Sequence, residues 1–189
     1  MGPNWTEVTN VSPINLLWTD LRVPGLQAKT GASSPDLVDF RGTSDLKILG
    51  FNGINTVEQV YLGIQFPHGW KEGSNIIPHV HWCPTHSSAT GNVLWQMTYS
   101  WGNVNGVFPA ATTIAAEADA AEVQWTQQIA SFGELDGTGK TLSSMFMARI
   151  FRDPTDGDDT YAQDTGFLEF DIHYQSDGDG SDGEYTKSW

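Results

Sequence analysis

From Leu46 onward the chain alternates apolar and polar positions in short runs separated by turn-forming residues. Val57 to Phe66 sets Val60, Leu62, Ile64 and Phe66 on one face and Gln59, Tyr61, Gly63 and Gln65 on the other. Val93 to Trp101 does the same, with Val93, Trp95, Met97, Tyr99 and Trp101 against Gln96, Thr98 and Ser100. Successive side chains of a strand point to opposite sides, so this period of two predicts half-buried strands. Leu46 to Phe51 reads as a strand closed by the turn pair Asn52-Gly53. Ile76 to Trp82, Glu122 to Phe132, Thr141 to Phe151 and Gly166 to Gln175 read as further strands. In the last, Leu168, Phe170, Ile172 and Tyr174 are expected inward, and Glu169, Asp171, His173 and Gln175 outward. Ala110 to Ala121 fits either a short helix or a strand start. Roughly seven or eight strands without intervening helices predict an all-β fold, a two-sheet antiparallel sandwich of jelly-roll type.

Residues 1–45 differ from this pattern. Pro3, Pro13, Pro24 and Pro35 recur among Gly, Ser and Thr, with the apolar cluster around Leu17 and Trp18 between them. Proline fixes φ and removes a backbone donor, which disfavours a regular helix or a central strand. The expected organisation is an extended arm or lead-in over 1–45 and a sandwich domain over 46–189. Trp5, Leu17 and Trp18 are candidates for docking the arm on its own domain or on a neighbouring subunit.

Composition narrows the class. Apolar residues make up 39% of the 189 positions and charged residues 17%, which excludes a disordered chain. The balance of 23 acidic to 9 basic residues, net −14, repels phosphate backbones and anionic lipid, and the few cations are scattered. Nucleic-acid and membrane binding are therefore not expected. Cys83 is the single cysteine, so no intrachain disulfide forms. The N-terminal residues lack the basic and apolar runs of a secretory signal, and no stretch approaches the ~20 apolar residues of a spanning helix.

Few residues suggest chemistry. His79 and His81 share one strand face, as two imidazoles holding a common metal do, and His173 on a distant strand could complete a three-His set. The competing reading is a half-buried, hydrogen-bonded His pair, or one that meets its copies on a trimer axis. The spacing from Gly73 to His79 resembles the first cupin motif over about ten residues, and would imply a cupin-like metalloenzyme. The carboxylate expected after the His pair is replaced by Thr85 and His86, and no second motif follows. The acidic stretches 153–159 and 176–184 have calcium-type oxygen donors but break the EF-hand pattern at Asp182 and Ser188, so solvated loops are expected. Cys83 precedes Pro84 and has no helix N-terminus to activate it. No nucleophile-elbow, P-loop or dinucleotide motif occurs, and neither catalysis nor a cofactor is expected.

The stretches Gln65–Gly73, Pro78–Trp82, Tyr99–Trp101, Phe170–Gln175 and Glu184–Lys187 resemble a family of small tailed-phage and prophage proteins. The resemblance implies a virion structural protein assembled in the host cytoplasm, most typically a head decoration or cement protein. Its expected partners are the major capsid protein or other virion subunits, and a homotrimer suits threefold capsid sites. A tail- or fibre-associated protein binding carbohydrate through Trp70, Trp82 or Trp101 is the alternative.

Overall fold

The computed structural model describes residues 16–42, 45–87, 90–116 and 119–188. Thirteen strands follow along them: β1 (Leu17–Pro24), β2 (Lys29–Thr30), β3 (Asp36–Asp39), β4 (Lys47–Phe51), β5 (Glu58–Gln65), β6 (Ile76–Pro84), β7 (Asn92–Val93), β8 (Trp95–Gly102), β9 (Thr112–Ala115), β10 (Asp119–Ala120), β11 (Gln128–Ser131), β12 (Met145–Arg152) and β13 (Thr165–Ser176). One large sheet runs β11-β6-β13-β4-β3, with β1 also on β13, the second runs β2-β5-β12-β8-β9, and β10 and β7 form a separate two-stranded ladder. Every described pairing is antiparallel. The expected all-β, two-sheet sandwich is the fold observed.

The core lies where the inner faces meet. Phe51, Val80, Trp82, Phe170 and Ile172 of the first sheet join Val60, Ile64, Trp95, Met97 and Ile150 of the second in one buried cluster. The Phe51 and Trp95 rings, one from each sheet, meet edge-on at 4.9 Å. Each such side chain contributes roughly 1.5–3 kcal/mol relative to exposure, so the alternation along β5, β8 and β12 accounts for the sandwich.

Four expectations change. The division at residue 45 is not seen among the described residues, because β1 pairs with β13, β2 with β5 and β3 with β4. The prolines are compatible with this: Pro24 ends β1 and Pro35 stands just before β3. The expected strand over 122–132 shrinks to β11, since Trp125 adopts φ 65° and interrupts the extended backbone. The strand over 141–151 begins only at Met145, after Ser143 at φ 58°. Finally, the β13–β6 register shifts between Phe167 and Glu169, so Phe167 enters the core and Leu168 leaves it. Ala110 to Ala121 resolves into β9 and β10.

Candidate functional site

The outer face of the first sheet collects its polar residues by register. On the central strands His79 lies opposite Asp171 and His81 opposite Glu169, while β1 sets Arg22 opposite Asp171 and Asp20 opposite His173. Directly opposed residues share a face, so these side chains crowd together although their sequence positions are far apart. His79 Nε2 lies 3.2 Å from His81 Nε2 and 2.5 Å from Asp171 Oδ1, and His81 Nε2 lies 3.1 Å from Asp171 Oδ2. His79 is 2% exposed and Asp171 3%.

Burial opposes the charged form of His79, but the adjacent Asp171 carboxylate outweighs it and holds the imidazole above its ordinary range. Burial likewise pushes Asp171 up, and His79 and His81 overcome it and hold the carboxyl below the usual value. The His79 Nδ1 atom faces the Ile77 carbonyl at 3.3 Å, and the Gln127 amide reaches His81 Nδ1 at 2.8 Å. Beside the cluster, Arg22 grips Glu169 with two hydrogen bonds of 2.5 and 2.7 Å. A cleft of about 340 Å³ opens here, lined by Asp20, Arg22, His81, Gln127, Leu168, Glu169 and Asp171.

Three ligand-type atoms, from His79, His81 and Asp171, converge within 4.8 Å of one another. This revises the expected set of His79, His81 and His173. His173 stands opposite Ile77, not His79. Its Nε2 pairs with Asp20 at 3.1 Å and its ring packs edge-on against His79 at 4.3 Å. It belongs to a second, more open triplet with Asp20 and the shared Asp171. The carboxylate that meets the His pair comes from another strand, β13.

The aromatic candidates divide. Trp70, Trp82 and Trp101 are buried, at 0%, 0% and 2% exposure, and cannot offer a ring to a ligand. Trp82 and Trp101 occupy inward strand positions, and Trp70 folds back from its loop onto Phe66 at 4.9 Å and Trp101 at 5.5 Å. Leu17 and Trp18 are exposed, at 65% and 56%, on β1. Trp5 lies outside the described residues. The acidic stretches are tied internally: Asp159 to Arg152, Asp177 to Lys187, and Asp153 and Asp156 to nearby backbone N–H groups.

Asp171, Gln127 and Asp20 were not among the expected site residues. The sequence signal for Asp171 is its outward position on an alternating strand, where it shares a face with a second carboxylate, Glu169.

No protein-family model matches the chain, and no sequence relative is found among curated proteins. In overall shape it is similar to the carbohydrate-binding module CBM35 of Cellvibrio japonicus Abf62, with a TM-score of 0.47 and 11% identity over 82% of this chain and 92% of the module. It is also similar to part of the Arthrobacter globiformis T6 isomalto-dextranase, with a TM-score of 0.45, 13% identity, and 81% of this chain against 23% of the enzyme. A third similarity is to an infectious bursal disease virus structure, with a TM-score of 0.40, 10% identity, and 86% of this chain against 33% of that one. These likenesses are of general sandwich shape and transfer no activity.

Proposed function

We propose that this chain is a structural rather than catalytic subunit of a virion surface, a head decoration or cement protein that seats on the major capsid protein or neighbouring virion subunits as a homotrimer. The observation that carries the reading is β1. It pairs with β13 along its whole length, from Leu17–Ser176 to Pro24–Glu169, and among the described residues its other edge is unpaired. Leu17 and Trp18 stand exposed at the start of that edge. An open strand edge with exposed apolar side chains is a template for another chain; on β1 the exposed Asp20 and Arg22 and the closing Pro24 blunt the far part and leave the Leu17–Trp18 end open. The net charge of −14 supports an exterior position, where packaged nucleic acid is not contacted. The stretches that resemble tailed-phage proteins suit the same reading. Carbohydrate binding through Trp70, Trp82 or Trp101 has no exposed ring to use.

The test is co-sedimentation with capsids assembled from the major capsid protein of the phage that carries the gene. The native chain is expected to bind saturably. A Leu17→Asp, Trp18→Asp variant is expected to bind about 30-fold more weakly, the ~2 kcal/mol lost at a buried aromatic hot spot. Failure of the native chain to bind overturns the decoration role, and equal binding by the variant overturns the edge as the route. Antibody labelling of tails instead of heads moves the protein to a tail or fibre position.

A further inference from the structure

We infer that His79, His81 and Asp171 form a binding site for one divalent first-row transition ion of the Zn²⁺ type, and that this ion ties β6 to β13. The inference is independent of the virion role. Its first support is convergence. Ligand atoms around a tetrahedral ion with bonds of about 2.0–2.1 Å lie roughly 3.3–3.4 Å apart. The His79–His81 and His81–Asp171 separations are 3.2 and 3.1 Å, and the shorter His79–Asp171 contact need open by less than an ångström.

The second support is the tautomer. A carbonyl oxygen only accepts, so the Ile77 contact puts a proton on His79 Nδ1. In the neutral ring, the form an ion would bind, the Nε2 lone pair then faces both His81 Nε2 and the carboxylate. Fixing one ring nitrogen by a backbone carbonyl so that the other is free to ligate is the usual support of a metal-bound histidine. At His81 the Gln127 amide nitrogen lies 2.8 Å from Nδ1 and donates to it, and a half-turn of that amide presents its oxygen instead, which moves the ring proton to Nδ1 and frees Nε2 to ligate.

The third is a buried carboxylate oxygen without an aligned donor. Asp171 Oδ1 is buried and, despite its 2.5 Å approach to His79, accepts no aligned hydrogen bond among the described residues. A buried carboxylate requires positive charge beside it. A second proton on His79 would supply that charge through a hydrogen bond to Oδ1, and an ion supplies it to all three groups at once. Two imidazoles among three donors favour a borderline ion such as Zn²⁺ over Ca²⁺ or Mg²⁺, which take oxygen shells. His81 and Asp171 also line the cleft beside Arg22 and Glu169, so the ion's remaining position faces solvent.

The experiment uses the full chain stripped with a chelator and titrated with Zn²⁺, followed by calorimetry and thermal melting, and with Co²⁺, followed by visible absorption. One Zn²⁺ per chain, a raised Tm and the intense bands of low-symmetry Co²⁺ are expected. His81→Ala is the principal variant, because this partly exposed position tolerates truncation. It and Asp171→Asn are expected to abolish uptake, while His173→Gln retains it. Gln127→Ala is expected to weaken binding about 10–100-fold, as loss of an orienting partner does. No saturable Zn²⁺ uptake by the native chain, or equal uptake by a folded His81→Ala chain, overturns the site. Loss of uptake in His173→Gln with retention in Asp171→Asn overturns the ligand assignment.

Discussion

Arg152 is fully buried at the end of β12, and its surroundings show what such a charge requires. Nε and Nη2 each donate to a carboxylate oxygen of Asp159 at 2.8 Å, while Nη1 donates to the Gln163 carbonyl at 2.8 Å and Nη2 also to the Tyr161 carbonyl at 2.5 Å. Asp159 further accepts the Leu94 backbone N–H at 3.1 Å. The acidic loop after β12 is therefore held by a bidentate pair at its inner end. Removing one partner strands the other, so Asp159→Ala is expected to destabilise by about 3–5 kcal/mol in urea unfolding. Replacing both by apolar residues, Arg152→Met with Asp159→Leu, is expected to lose much less than the sum of the single changes. Equal losses would place the stabilisation elsewhere. Cys83 makes a second case. Burial pushes its thiol up to about 11, against a smaller opposing effect of a hydrogen bond with the Gly166 backbone. The folded protein is expected to resist alkylation by iodoacetamide at pH 8 and to react fully only in denaturant. Rapid native labelling would contradict that burial.

At the scale of elements, Asn52-Gly53 has a different basis from the one its sequence suggests. The Asn52 side-chain oxygen accepts the backbone N–H groups of Ile54, Asn55 and Thr56 at 2.9–3.2 Å, which folds the loop. Gly53 is required for space, since a Cβ there would lie 1.9 Å from the Gln163 carbonyl oxygen. Gly53→Ala is expected to cost about 1–3 kcal/mol by displacing that backbone, measured as a shift of the urea midpoint at constant slope. An unchanged midpoint would mean that the two loops separate freely. The longer strands were legible for a simple reason. Alternation in β5 and β8 records which side chains meet the core, and it already placed Trp101 inward beside Trp95 and Met97. The first strand was not legible, because its inward row is short and only half-buried: Leu21 and Val23 pack on the core, while Leu17 and Trp18 face solvent and Pro24 ends the run. The site divides along the same line. His79 and His81 are two residues apart, so their common face follows from pleating alone. Asp171 is 90 residues from His81, and only the β6–β13 register, which no local pattern encodes, brings them together.

For the whole molecule, the arrangement concentrates its consequences on one strand. β13 lies between β6 on one side and β4 and β1 on the other, and it also carries the carboxylate of the His cluster. It is the last of the described strands to be synthesised, and the Arg22–Glu169 contact alone spans 147 positions. The ladders β1–β13 and β4–β13 close only when this segment arrives, which makes the topology one of distant pairings and slow closure. Until then the ribosome-bound chain exposes β4, β6 and the apolar start of β1 together, the condition under which nascent chains misassociate. Chains stalled before Thr165 has left the exit tunnel are expected to be digested throughout by protease. Chains stalled well beyond Ser176 are expected to resist. A protected fragment ending before β13 would show that the second sheet folds alone. Assembly of this sandwich is then timed by β13, which brings both ladders and the buried carboxylate at once.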